Sequence, residues 1–334
     1  TEHPADLATS LNNLALFFHD KGEYEKAKPL YEEALTLIEE TTEQWPTMRD
    51  DYATYLNNAA ELFRVTGDMR KAKAYYDDAK EIREGGPDYS SSLNNLGLLY
   101  HDIARSLDGA EKAEKFEQAK KLYLQALEIS QSQDSRVEQP EYAITLTNLA
   151  NLYHDVGKFT EAGKRYEEAL KLRREILSEN HPDVASSIGN LAAHYRSVGR
   201  FDEAEQHYEQ SLAILKDALG ETHPVYGVML RNLAKLYESK GEPGYAVPDL
   251  KKSLEIARGK LELTAAVQSE RQQLGMAKMF RGTLDRWLSL STRTELPADE
   301  TYEHVLRWKG AVFARQLEQR KYRRTRAENA DPKV

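Results

Sequence analysis

The residue whose placement most needs a chemical reason is asparagine. Asn13, Asn58, Asn95, Asn148, Asn190 and Asn232 follow one another at intervals of 45, 37, 53, 42 and 42 residues. In three places a second asparagine stands just before, at Asn12, Asn57 and Asn94, and Asn151 follows Asn148 by three positions. Asparagine is a middling-to-poor helix former, so six in one column need a purpose. Its carboxamide both donates and accepts hydrogen bonds, which matches a peptide main chain. Two uses follow. The column holds an extended peptide, or it forms a ladder that bonds neighbouring helices, and both can operate together. Each hydrogen bond contributes about 0.5–1.5 kcal/mol net. Six of them, set against several kcal/mol of ordering cost, give weak binding unless side-chain pockets or a large wrapped surface contribute.

Other polar residues share this register. Arg64, Arg196, Arg231 and Lys235 lie along the same helices. Arg231 and Lys235 are spaced i, i+4 and can grip a carboxylate together, or they are ordinary surface charge with Lys235 paired to Glu238. Of the nine histidines, His3, His181 and His223 precede proline, and His19, His101 and His154 precede aspartate. Both trios read as repeat features. A metal site built from the second would need side chains a full repeat apart to converge. No phosphate loop, His-Glu-x-x-His or Gly-x-Ser-x-Gly occurs, and no cysteine is present to serve as nucleophile, thiolate ligand or disulfide. The expectation is a non-enzyme with no metal and no cofactor. A net charge of −9 argues against nucleic acid as partner. No apolar run approaches the roughly 18 residues of a membrane span, and no leader opens the chain. A cytoplasmic location is expected.

These residues are positioned by a repeated unit. Leu11 begins LNNLALFFHDKGEYEKAKPLYEEAL, Leu146 begins LTNLANLYHDVGKFTEAGKRYEEAL and Ile188 begins IGNLAAHYRSVGRFDEAEQHYEQSL. In the first copy Leu11, Leu14, Ala15 and Phe18 show helical spacing, then Tyr24, Ala27, Tyr31 and Ala34 do. Gly22 between them stops the first helix, and proline after histidine suits a first helical turn. The unit is helix A, tight turn, helix B. Small residues fill one column in helix A (Ala15, Ala60, Gly97, Ala150, Ala192, Ala234) and another in helix B (Ala27, Ala72, Ala119, Ala162, Ala204, Ala246). They require close helix approach, where a bulkier side chain would cost about 1–3 kcal/mol. Phe18, Phe63, Tyr100, Tyr153, Tyr195 and Tyr237 are expected to fill the space between copies. The third copy carries about ten extra residues around Ser106 to Lys112, expected as a surface loop or a partner contact. The sixth, with Pro243 and Pro248, is expected to have a less regular second helix.

The pattern Leu146, Leu149, Ala150, Tyr153, Phe159, Ala162, Tyr166, Ala169 resembles the tetratricopeptide repeat. The long unit, the His-Pro openings and the Asn-Leu-Ala core look most like the kinesin-light-chain type. The resemblance implies an all-α, right-handed solenoid whose A helices line a concave groove. It places Asn12, Asn13, Asn57, Asn58, Arg64, Asn94, Asn95, Asn148, Asn151, Asn190, Arg196, Arg231, Asn232 and Lys235 in a groove that binds a protein or an extended peptide. Six units are expected over 1–261, at about 1–40, 50–84, 87–131, 140–178, 181–219 and 223–261. The usual proline after helix B is missing, which suggests a longer helix B or linker.

A helical cap or linker is expected over 262–322, with Leu263, Val267, Leu274, Phe280, Leu284 and Leu288 inward, a break near Ser291-Thr292 and Pro297, and a last helix with Tyr302, Val305, Leu306, Val312, Phe313 and Leu317 inward. A basic tail follows over 323–334, in a stretch that holds Arg315, Arg320, Lys321, Arg323, Arg324 and Arg326, either solvated or meeting nucleic acid or an acidic partner. The strings Gln268 to Leu274 and Val305 to Gly310 are similar to the stretch between repeats and a caspase-like protease in bacterial TPR–CHAT proteins. Thr1 matches a repeat opening with no capping helix before it, so a fragment of a larger regulatory protein, with a protease adjacent in the parent, is expected. Two alternatives from other classes are a self-associating structural module and a hydrolase- or phosphatase-type regulator with an unrecognised site.

Overall fold

The computed structural model describes residues 4–86, 88–132, 139–264, 270–299 and 301–306. Among these no strand occurs. The elements are α1 (Pro4–Asp20), α2 (Tyr24–Gln44), a 3-10 turn (Pro46–Met48), α3 (Arg49–Thr66), α4 (Met69–Ile82), α5 (Tyr89–Arg105), α6 (Gly109–Ser132), α7 (Gln139–Asp155), α8 (Phe159–Ile176), α9 (Pro182–Ser197), α10 (Phe201–Leu219), α11 (Pro224–Lys240), α12 (Pro243–Thr264) and α13 (Glu270–Arg293). The odd-numbered helices up to α11 are the A helices of the repeats and the even-numbered ones the B helices. They form two compact units that divide between His194 and Tyr195, within α9. In the first unit α1 packs on α2, α3 on α4, α5 on α6 and α7 on α8, and each of α2, α4 and α6 packs on the next A helix. In the second, α10 packs on α11, α11 on α12 and α12 on α13.

The A-to-B turn is closed by the backbone. At Gly67, φ is +89°. Its N–H bonds to the Arg64 carbonyl at 3.1 Å and the next N–H, of Asp68, reaches back to Phe63 at 2.8 Å. This pairing satisfies carbonyls that the helix end leaves open. The same two bonds recur at Gly22, Gly157, Gly199 and Gly241. At the His-Pro openings the histidine has a task beyond the proline. His223 Nδ1 accepts from the Val225 N–H at 3.3 Å and His181 Nδ1 from the Asp183 N–H at 3.1 Å, so the imidazole caps the helix.

The third copy corrects an expectation. Its additional residues form helix, not loop. The turn is only Ser106 to Asp108, and α6 runs 24 residues from Gly109. Phe116, which shares the register of the first residues of α8 and α10, stands seven positions inside α6. The inserted Ala-Glu-Lys sequence is made of good helix formers, so it extends the B helix by about two turns. The sixth copy is also more regular than expected. α12 is continuous for 22 residues with Pro248 inside it. Pro29 holds the same place in α2. Both prolines are sixth in their helices, where the missing N–H removes a bond from the first turn only.

The core consists of the two small-residue columns and the rings that rest on them. Every alanine named in both columns is 0% exposed. The helix B tyrosines Tyr31, Tyr76, Tyr123, Tyr166 and Tyr208 are buried as well. Of the large A-helix residues, Phe63 and Tyr195 are buried, whereas Phe18, Tyr100, Tyr153 and Tyr237 are half-buried. In the second unit α13 closes the stack. Trp287, fully buried, packs with Leu284, Leu290, Leu250, Leu254 and Ala246. Leu288 is half-buried, and α13 ends at Arg293, close to the expected break. Tyr302 and Leu306 are exposed rather than inward, because His304 and Val305 take the core-facing positions, His304 with its ring 4.9 Å from that of Trp287. The inward positions expected at Val267, Val312, Phe313 and Leu317, the whole basic tail, and residues 307–310 of the second TPR–CHAT-like string lie outside the described residues, as do the side chains of Leu263, Leu274 and Phe280.

Gly97 tests the packing. A Cβ there would sit 2.8 Å from Cε1 of the buried Tyr123 ring. Gly97→Ala gains up to about 1 kcal/mol of helix propensity but forces a packed ring to move, at about 1–3 kcal/mol. The expected outcome is a net loss of about 1 kcal/mol in urea unfolding. Unchanged or raised stability would show that the ring yields freely.

Candidate functional site on the A helices

The two neighbouring asparagine columns occupy different environments. Asn12, Asn57 and Asn94 are buried, at 4%, 8% and 8% exposure. One residue further along the helix turns the side chain by about 100°. Asn58, Asn95, Asn148, Asn190 and Asn232 are accordingly half-buried, and Asn13 is exposed. The buried column is therefore out of reach of a ligand in this arrangement, and its members face neighbouring helices instead. Asn58 Nδ2 donates to Asn12 Oδ1 at 3.1 Å and Asn148 Nδ2 to Asn94 Oδ1 at 3.0 Å. Within their helices Asn12 and Asn94 donate onward to Asn13 and Asn95, both at 3.4 Å. These rungs join the first copy to the second and the third to the fourth. Between the second and third, the Asn57 amide has no hydrogen-bond partner among the described residues.

Three positions after the second asparagine, a further rule operates that sequence reading missed. The residue there can supply the partner of the helix B tyrosine. Tyr76 donates to Glu61 at 2.9 Å and Tyr166 to Asn151 at 2.6 Å. At the same register Leu16 and Leu98 offer no polar atom, and the hydroxyls of Tyr31 and Tyr123 are buried without partners among the described residues; Tyr208, whose copy has Ala193 there, meets Arg196 instead. The signal was available as a correlated choice at two columns.

The His-Asp pairs do not bring a catalytic or metal-binding group together. Among the described residues no cluster of three or more His, Asp or Glu side chains could hold a metal ion. The His101-Asp102 and His154-Asp155 pairs contribute to charged links between copies. Arg64 pairs with Glu61 on its own helix and with Asp102 on α5. His101 Nε2 lies 2.9 Å from Asp155 Oδ2 on α7, and Arg105 Nε donates to the same oxygen at 2.6 Å. Burial raises the Asp155 carboxyl, but hydrogen bonds from His101 and Arg105 outweigh it and hold its pKa at about 2. Arg64 is thus engaged within the stack.

Arg196, Arg231 and Lys235, all half-buried, belong to the second unit. Lys235 does not pair with Glu238. That carboxylate binds Arg286 of α13 at 2.9 Å, with Arg293 at 3.8 Å. Arg231 donates to Thr283 Oγ1 of α13 at 3.3 Å. The arrangement offers amides and cations that can bind.

The tetratricopeptide repeat pattern matches residues 7–43 and, in two overlapping stretches, 141–217 and 183–259. No curated protein matches the sequence. The crystal structure of BtubC (BKLC) from P. vanneervenii is similar, with a TM-score of 0.55 and 22% identity over 71% of this chain and 91% of that one. So is a crystal structure of a Podosopora anserina putative kinesin light chain with nearly identical TPR-like repeats, with a TM-score of 0.51 and 21% identity over 64% of this chain and 98% of that one. The APC/C hetero-tetramer Cut9–Hcn1 has a TM-score of 0.54 and 16% identity, covering 76% of this chain and 40% of that one. Residues 7–43 and 141–259 carry tetratricopeptide repeats, and the described residues form paired α-helices in a repeat arrangement, the fold of the kinesin-light-chain-like structures above. Such repeats are in general protein-interaction scaffolds. No helix among the described residues is long and apolar enough to cross a membrane.

The Asp155 link sets a pH dependence. Its folded pKa lies below the ordinary 3.8, so its contribution is complete above about pH 4 and disappears as pH falls through about 2. Asp155→Asn is expected to be about 1 kcal/mol less stable at neutral pH. It should also show a flatter acid limb when urea stability is measured against pH. An acid limb identical to wild type would remove the link from the stability of the stack.

Proposed function

We propose that the chain is a non-catalytic scaffold that holds a protein or an extended peptide along the exposed faces of its A helices. The observation that carries this reading is the half-buried asparagine column of the first unit: Asn58, Asn95, Asn148 and Asn190. In Asn58 and Asn148 one amide N–H is bound in a rung. A carboxamide has two N–H donors and two acceptor lone pairs. The rung fixes the orientation and leaves the remaining capacity directed outward. Peptide holding and the ladder are then one device, not competing ones. Asn12 and Asn94 serve it from behind by setting the position of the outer column. Asn232 offers the same side chain in the second unit.

The narrower form of the proposal concerns the parent protein. The strings Gln268 to Leu274 and Val305 to Gly310 support an array that acts in the cytoplasm as the sensing arm of a caspase-like protease of the TPR–CHAT type. Occupation of the A-helix face would then change how the array holds its effector. The coding sequence past Val334 decides this: a caspase-like His and Cys are expected downstream, and their absence removes the protease arm.

The scaffold itself is tested by pulldown followed by identification of the retained proteins, comparing wild type with Asn95→Ala plus Asn148→Ala. Loss of two outward amides is expected to reduce recovery about tenfold, with circular dichroism confirming an unchanged helix content. Equal recovery would place binding elsewhere on the molecule.

A further inference from the structure

The residues that lengthen α6 build one wall of a cavity. In the other copies helix B begins at the register of Phe116: Tyr24, Met69, Phe159, Phe201 and Pro243 each stand first in their helices, three places before the column alanine. Only α6 starts earlier, at Gly109. Its added turns run beside the end of α7 and the turn that follows, and a cavity of about 260 Å³ lies between them. The apolar lining comprises the buried Phe116 and Leu152 with Ala113, Tyr153 and Val156. The charged lining is mainly cationic, with Lys112 and Lys120 from α6 and Lys158 from the turn. The two carboxylates that also line the cavity are engaged. Glu117 takes Lys120 at 2.6 Å, and Asp155 takes His101 at 2.9 Å and Arg105 at 2.6 Å. The hydrogen bond from Lys120, opposed by burial, and then the charges of Lys120 and Lys158 hold the Glu117 carboxyl below its ordinary range. Lys112 has its ammonium 6.0 Å from the centre of the Phe116 ring. Neither Lys112 nor Lys158 has a carboxylate within ion-pair distance among the described residues.

We propose that this cavity binds a free small molecule that joins an aromatic or aliphatic body to one carboxylate, with the body against Phe116 and Leu152 and the carboxylate between Lys112 and Lys158. An apolar lining with a few placed charges is the usual make-up of a small-molecule site. An apolar cavity of about 150 Å³ already takes up benzene, so this one has room for a ring, a short chain and a carboxylate. An extended peptide would need a succession of pockets along its main chain, which a single cavity does not supply. The site uses none of the A-helix asparagines and does not rest on the scaffold reading above.

The test is calorimetric titration of the whole chain with phenylpropionate, phenylpropanol and phenylpropylamine, which share a ring and chain but end in a negative, a neutral and a positive group. Saturable binding of phenylpropionate with a Kd of about 1 mM or tighter is expected, with the alcohol weaker and the amine weakest. Lys112→Gln plus Lys158→Gln should weaken phenylpropionate about tenfold. Glu117→Gln, at an exposed position, frees Lys120 and should tighten it, an effect that damage to packing would not produce. Ala113→Phe, also at an exposed helical position, fills the cavity and should abolish binding, with circular dichroism confirming an unchanged helix content. Asn95→Ala plus Asn148→Ala should leave the titration unchanged while lowering recovery in the pulldown. Four results overturn the proposal. They are no saturable binding of phenylpropionate, equal binding of the alcohol or the amine, wild-type affinity in Ala113→Phe, or tighter binding of a peptide with a C-terminal phenylalanine, which would make the occupant a chain end and not a free molecule.

Discussion

The fold depends on how closely an A helix can approach its B helix. In five of the six pairs an alanine at 0% exposure stands in helix A, and all six have one in helix B; the third pair has Gly97 in helix A. In the third pair the Tyr123 ring of helix B lies against Gly97, 2.8 Å from where a Cβ would stand. Packed interiors tolerate little change of volume, so this contact sets the rotation of each A helix about its axis. That rotation decides everything on the far face. It places one asparagine against the neighbouring helix and turns the next one outward. A slip of one residue would exchange them, burying the column that can meet a ligand and exposing the one that stitches copies together. The chemistry on the surface is thus a consequence of a steric limit inside.

Most of the fold was legible because its causes are local and periodic. Gly22, Gly67, Gly157, Gly199 and Gly241 mark turns by conformation alone, and the alanine columns show themselves by recurrence. The places where reading failed lack that support. The run after Asp108 is charged and small, a composition that suits a surface loop or an exposed helix equally, and the outcome depends on whether it continues the helix ahead of Phe116. Tyr302 and Val305 differ by less than one turn, too little to assign faces in a segment with no second copy to compare. Arg286 could not be placed near Lys235 at all, because α13 has no repeat register and its docking is a tertiary event.

The candidate site was legible in part for the same reason. The asparagine column is visible as a column, but the difference between Asn12 and Asn13 is a matter of angle. The pairing of Glu61 with Tyr76 and of Asn151 with Tyr166 is written in two columns at once. Where the residue is Leu16 or Leu98, the tyrosine is retained even though its hydroxyl has no partner among the described residues. This shows that the ring and not the oxygen is what the stack needs.

The junctions between copies are not made of one material. First and second are fastened by neutral amides, third and fourth by amides together with Asp155, His101 and Arg105. Second and third share the Arg64 to Asp102 bridge and an apolar cluster of Phe63, Tyr76, Leu96 and Leu99, beside Asn57, whose amide has no partner among the described residues. Ions in solution weaken a charged clasp and hardly touch a neutral one. An array built this way answers brine unevenly: added ions loosen its charged clasps and leave its neutral ones in place.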